Sequence, residues 1–151
     1  MTDADSLAKK VVDRMLELDY FSRWMGVELL EVKTGYARIS MRLRREMLNG
    51  FGIAHGGVTF ALADSAFAFA CNSDGKITVA LDVSISFPKP VKEADLLIAE
   101  ARQVNATRRT GLYLVEIKNQ HGELVALFKG TCYKTEKNLG DSLGVKPGLN
   151  S

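Results

Sequence analysis

A chain of 151 residues is the length of one domain, and 46% hydrophobic with 25% charged residues is the balance of a folded globular protein, which excludes a disordered or fibrous chain. A formal net charge of +2, carried by scattered Lys and Arg, excludes the basic stripe of a nucleic-acid binder and the polybasic patch of a membrane anchor. Cys71 and Cys132 lie far apart with no CxxC or Cys/His spacing, no apolar leader opens the chain and no run approaches the roughly 18 apolar residues of a membrane span, so a cytoplasmic protein without metal or disulfides is expected.

From Ser6 to Leu18, the residues Leu7, Val11, Met15 and Leu18 recur at helical spacing with Ser6 available as N-cap, which predicts a short amphipathic helix. Phe21, Trp24 and Met25 form an apolar cluster running into Gly26. Val27–Val32 and Tyr36–Leu43 read as strands joined across Lys33-Thr34-Gly35. In the second, Ala37, Ile39, Met41 and Leu43 share one face and Tyr36, Arg38, Ser40 and Arg42 the other, so the sheet has one dry side. The segment from Asn49 to Gly57 holds four glycines in nine residues and reads as a loop of tight or positive-φ turns. Val58–Cys71 is apolar on nearly every face, which predicts a helix buried on all sides, with Asp64 its one charged residue.

After the turn residues Asn72-Ser73-Asp74-Gly75, four strands are predicted, at Ile77–Phe87, Leu96–Asn105, Leu112–Lys118 and Leu124–Tyr133. The first alternates with a period of two through Ile77, Val79, Leu81, Val83, Ile85 and Phe87. Arg108-Arg109-Thr110-Gly111 and Gln120-His121-Gly122 separate the later strands at hairpin distances, so the chain finishes as an antiparallel meander. From Glu136 onward Gly, Ser, Lys, Asn and Pro without periodicity predict a loose tail over 136–151, leaving a single domain over 1–135 with the first helix inside 1–20. The expected fold is α+β, a curved antiparallel sheet of about six strands wrapped around one central helix, because two flat layers would not enclose a helix that is apolar all round.

A lone carboxylate in an apolar helix must be paired, hydrogen-bonded or shifted upward in pKa. Asp64 therefore reads either as a loop cap or buried ion pair, or as a chemical group. His55-Gly56-Gly57 enters the same helix, where unsatisfied N–H donors and the helix dipole favour negative charge, the makings of an oxyanion hole; a tight structural turn is the alternative. Gly56 and Asp64 are separated by roughly 10–12 Å of helix axis, so one carbonyl carbon cannot touch both. Two such helices packed antiparallel across a two-fold axis would bring the glycine turn of one subunit opposite the aspartate of the other, which predicts a composite site in a homodimer.

The pattern Asn49-Gly50, His55-Gly56-Gly57, then Leu62-Ala63-Asp64-Ser65-Ala66-Phe67-Ala68 and Ala70-Cys71-Asn72-Ser73 closely resembles the PaaI-like, phenylacetate-degradation branch of hotdog-fold thioesterases. The resemblance runs from about Gly26 to Tyr133. It implies a helix wrapped by a sheet, pairing into dimers and dimers of dimers, and hydrolysis of aryl- or medium-chain acyl-CoA thioesters with no metal or other cofactor. It further implies Asp64 as nucleophile or general base, Gly56 as main oxyanion donor with Gly57 beside it, Asn49 and His55 orienting the thioester or the water, and Ser65 as a helper to Asp64. Phe51, Ile53 and Phe67 are candidates to floor an acyl pocket, with core packing as the alternative, and Arg108 and Arg109 to hold the CoA phosphates, with a solvated turn as theirs. Two competing functions remain on this fold: an enoyl-CoA hydratase or dehydratase, and a non-catalytic acyl-CoA-binding module.

Overall fold

The computed structural model describes residues 2–140. Helix α1 (Asp3–Leu18) begins upstream of Ser6: Thr2 is the N-cap, its hydroxyl accepting from Asp5 N–H at 3.1 Å, and Asp3 and Asp5 place negative charge at the positive end of the helix dipole. The Phe21-Trp24-Met25 cluster is a second short helix, α2 (Tyr20–Met25), opened by an Asp19 cap and closed by Gly26 at φ 79°, a left-handed position that suits glycine. Strands β1 (Glu28–Lys33) and β2 (Tyr36–Arg42) follow, then a single 3-10 turn at Arg45–Met47 and helix α3 (Gly56–Asn72). Four strands complete the fold: β3 (Lys76–Ser86), β4 (Leu96–Ala106), β5 (Thr110–Lys118) and β6 (Leu124–Asn138). No helix among the described residues is long and apolar enough to cross a membrane.

The six strands form one sheet in the order β1-β2-β4-β5-β6-β3, with every neighbouring pair antiparallel. The sheet curls around α3, which touches all six strands, and α1 lies against β1. This is the expected α+β hotdog arrangement. The dry face of β2 is as the alternation predicts, with Ala37, Ile39 and Met41 buried in the core. β6 continues to Asn138, which pairs with Lys76, so Glu136–Asn138 belong to the sheet and not to a tail; the rest of the expected tail, from 141 onward, lies outside the described residues.

Two of the expectations for these elements fail for identifiable reasons. β3 does not keep one apolar face. Its pairing with β6 slips between Lys76 and Thr78 and again between Ala80 and Asp82, and each slip exchanges the two sides of the strand. Thr78, Val83 and Ile85 consequently turn inward, while Val79 and Leu81 are 47% and 59% exposed at the sheet edge. Nor is α3 buried all round. The sheet encloses Leu62, Ala63, Ala66, Phe67, Phe69 and Ala70, but a stripe at helical spacing through Gly57, Ala61, Asp64 and Ala68 keeps solvent contact. The alanine-rich flank is apolar, yet among the described residues Ala61 and Ala68 are only partly covered.

Phe67 sits at the centre of the core, 5.6 Å from the ring of Tyr113 edge-on and 5.5 Å from Phe128. It packs as a core residue, the alternative given above for it, and its placement depends on Gly130 of β6. A Cβ at Gly130 would fall 2.8 Å from Phe67 Cζ and 3.0 Å from Phe128 Cε1. Gly130→Ala is expected to lower stability by about 1–3 kcal/mol through overpacking, measured as a fall in the denaturation midpoint. An unchanged midpoint would show that the Phe67 ring shifts freely. At the far end of α3, Asn72 ties the helix to β3, its Oδ1 accepting from Thr78 N–H at 2.8 Å and its amide nitrogen donating to Thr78 and Ala68 carbonyls.

Candidate active site

The loop before α3 is tied down by its own polar groups. Asn49 Oδ1 accepts from Phe51 N–H at 2.9 Å and Ile53 N–H at 3.4 Å, and Asn49 N–H donates to the Ile53 carbonyl at 2.7 Å. This Asx-type turn, with Gly52 at φ 76° inside it, explains why asparagine and glycine recur here. Ala54 N–H then bonds Val91 O at 2.8 Å and His55 N–H bonds Met47 O at 2.9 Å, so the chain enters α3 at a fixed point. The Phe51 side chain, 90% exposed, takes no part in this anchoring.

His55 is the N-cap of α3, and its Nδ1 accepts from Gly57 N–H at 2.9 Å. An accepting Nδ1 leaves the ring proton on Nε2. A Cβ at Gly57 would lie 2.9 Å from that nitrogen, so glycine is what allows the imidazole to reach the amide. The Gly57 donor expected beside the oxyanion is thus already used by His55. Gly56 N–H has no partner among the described residues and stands at the positive end of the α3 dipole, where an anion is favoured. It opens on a cleft of about 480 Å³ whose lining brings Asn49, Ile53 and Gly56 together with Thr59, Phe87 and Lys89. Phe87 and Lys89 had no signal in the sequence, because only the fold brings the end of β3 beside the α3 entrance.

Asp64 lies two turns further along, on the same open flank as Gly57 and at about 12 Å of helix rise from Gly56. The expected burial is not met within one chain. The side chain has an open side; partial burial raises its carboxyl pKa above the ordinary carboxylate value, and the negative charge of Asp19 raises it further. No salt bridge to Asp64 exists among the described residues. That removes the buried ion pair as an explanation for the residue.

Residues 51–126 match the model of the thioesterase superfamily, half of the chain. The acyl-coenzyme A thioesterase PaaI of Escherichia coli K12 is 39% identical over 120 residues, spanning 80% of this chain and 86% of that one. The protein belongs to the thioesterase superfamily. It is a hydrolase, a PaaI-like acyl-CoA thioesterase of hotdog fold. The solved structure of the Escherichia coli PaaI protein from the phenylacetic acid degradation operon superposes on this thioesterase with a TM-score of 0.88 at 35% identity, covering 90% of this chain and 99% of the other. Human acyl-coenzyme A thioesterase 13 is 26% identical over 145 residues, 93% of this chain and all of its own length.

The remaining candidate residues of the thioesterase fall into different places. Ser65 is buried, and its hydroxyl is hydrogen-bonded to that of Ser22 on α2 at 2.8 Å. Arg108 and Arg109 are far along the chain from the α3 entrance, in a separate cleft of about 840 Å³ that they share with Lys76, Lys134, Asp74 and Glu136. Arg108 reaches Glu136 at 3.5 Å with both side chains almost fully in solvent, an ion pair of small energetic weight. The two cysteines, unrelated in the sequence, are neighbours in the structure: the Cys71 thiol donates to the Ala68 carbonyl at 3.7 Å, and the nearby Cys132 thiol, with burial, raises the Cys71 pKa.

Proposed function

We propose that the thioesterase hydrolyses aryl- or medium-chain acyl-CoA to the free acid and CoA in a site shared by two subunits, with Asp64 of one and Gly56 of the other acting on the same carbonyl. One observation carries the reading: among the described residues an uncommitted N–H stands at the entrance of α3 and an unpaired carboxylate on its open flank, too far apart to act together within a chain. A second copy of the helix laid antiparallel across that flank removes the distance and covers the half-buried Ala61 and Ala68. The β3 edge supports the pairing, since a long strand paired on one side only among the described residues, and showing Val79 and Leu81, is an association surface unless its outer edge is matched.

The chemistry follows from the thioester itself, an activated acyl group that needs a positioned carboxylate and a donor for the developing oxyanion. Gly56 N–H supplies the donor. Asp64 either accepts a proton from the attacking water, so that the acid takes its oxygen from that water, or adds to the carbonyl to form an anhydride that water opens at the Asp64 carbonyl, so that the acid keeps the Asp64 oxygen and Asp64 regains one from water; in both routes the C–S bond breaks and CoA leaves as the thiolate and is protonated. Turnover in heavy-oxygen water separates the routes, because only an anhydride leaves label in the Asp64 carboxyl. His55 holds the entrance amides in register and Asn49 holds the loop, so both orient the site through the backbone. Ile53 and Phe87 offer apolar surface beside Gly56 for the acyl group, and the cations Lys76, Arg108, Arg109 and Lys134 suit the phosphates of CoA.

The substrate class is tested by free-thiol release across aryl-, short-, medium- and long-chain acyl-CoAs. The expected result is highest kcat/KM on an aryl or medium-chain thioester. Equal or absent release across the panel would overturn the assignment, and the name of the Escherichia coli operon product is the reason for placing phenylacetyl-type thioesters first.

A further inference from the structure

The contact between α2 and α3 contains a polar chain, buried at Ser22 and Ser65 and half-buried at Asp19. Asp19 caps α2, its Oδ1 accepting from Ser22 N–H at 2.9 Å and its Oδ2 from the Ser22 hydroxyl at 2.6 Å. The Ser22 oxygen lies 2.8 Å from the Ser65 oxygen. Each hydroxyl has one proton, and that of Ser22 is given to Asp19, so Ser65 must donate to Ser22 and the chain runs in one direction, Ser65 to Ser22 to Asp19. A pair of alanines would fill this contact with no polar requirement; the hydroxyls instead demand one register of α2 on α3, at the step next to Asp64. The negative charge of the same Asp19 carboxylate, after burial, raises the Asp64 pKa.

Other charges nearby are turned elsewhere. Arg23 of α2 reaches back to the Glu17 carbonyl, and Arg44 stacks over Trp24 while pairing with Glu46. Among the described residues Asp19 is the one charged group that acts on Asp64.

We propose that Asp19 is a positioning residue for Asp64, fixing α2 against the catalytic step of α3 through Ser22 and Ser65 and supplying the negative field in which the carboxylate works. The proposal rests on Asp64 being the catalytic carboxylate. Its consequence for catalysis is a carboxylate with more basic, more nucleophilic character than an isolated aspartate, obtained without a cation that would neutralise it.

Asp19→Asn is the discriminating variant: asparagine caps a helix as well as aspartate and its Oδ1 still accepts from Ser22 N–H, while the charge and the bond accepted from the Ser22 hydroxyl are lost. Two readings are taken on the intact enzyme: the acid limb of kcat/KM against pH, and the titration of the Asp64 carboxyl by carbon NMR, assigned by its loss in Asp64→Asn. The rate falls as Asp64 is protonated, and removing a like charge lowers its pKa, so both the limb and the titration are expected to move to lower pH. An Asp64 titration that stays in place overturns the proposal, even if the variant is slower. A titration that moves while the limb stays would show that Asp64 does not control the rate, and would sink the catalytic reading and the positioning role with it. Should Asp19→Asn misfold, Asp19→Ser, also a neutral cap, is read in the same way.

Discussion

Asp64→Asn is expected to fold, to associate as the parent does, and to lose about a hundred- to ten-thousand-fold in turnover of acyl-CoA, the range for removing a positioned acid or base. The substitution is nearly isosteric and the side chain has an open side, so no cavity or clash arises. Stability should not suffer either. Burial and Asp19 both disfavour the charged form, so the folded state carries a raised pKa at this position. A group of that kind contributes most below its unfolded pKa, and the contribution is lost as pH rises through the folded value. At neutral pH the melting temperature of Asp64→Asn is therefore expected to equal or exceed that of the parent. Free-thiol release and a thermal melt on the same sample check both halves; full turnover in a folded variant would remove Asp64 from the chemistry.

Gly56→Pro is the second large effect, and it isolates a backbone donor that no side-chain change can reach. Gly56 is the first residue of α3, where proline is well tolerated because the missing N–H has no intrahelical partner. His55 before it, at φ −61° and ψ 130°, already has the extended conformation a following proline requires. The nearest obstacle to a Cβ is Phe87 Cζ at 3.4 Å, the end of a side chain with room to move. The variant should keep its fold and lose about a hundred- to a thousand-fold in kcat, the scale for one oxyanion donor. Mixing it with Asp64→Asn tests the sharing of the site. In a mixed dimer one site combines both defects and the other receives an intact Asp64 and an intact Gly56, so unfolding and refolding an equal mixture should restore about a quarter of parental activity. A site contained in one chain would recover none.

The central helix and its glycine entrance are legible in the sequence because both depend on local pattern: an apolar run of helical length, and glycines where a cap and tight turns need them. The β4-β5-β6 meander is legible for the same reason, through alternation punctuated by turn residues. The misreadings all involve partners distant in the chain. Phe67 looks equally suited to pocket and core until Gly130 is seen to make room for it. The slip at Ala80/Asp82 belongs to the pairing with β6 and leaves no mark in the composition of β3. The open flank of α3 follows from which side the sheet encloses, and the Ser22–Ser65 bond spans 43 positions of sequence. Gly57 is a finer case, because only the rotamer of His55 decides that its amide is already taken.

The two sulfurs have a practical bearing on every rate measurement above. Cys71 and Cys132 are 4% and 0% accessible, so a reagent that detects released CoA finds neither while the molecule stays closed. The enzyme is thereby silent in its own assay. Any slow rise in colour without substrate counts openings of the hydrophobic interior, and the same cuvette that records hydrolysis records how often the central helix parts from the strand carrying Cys132.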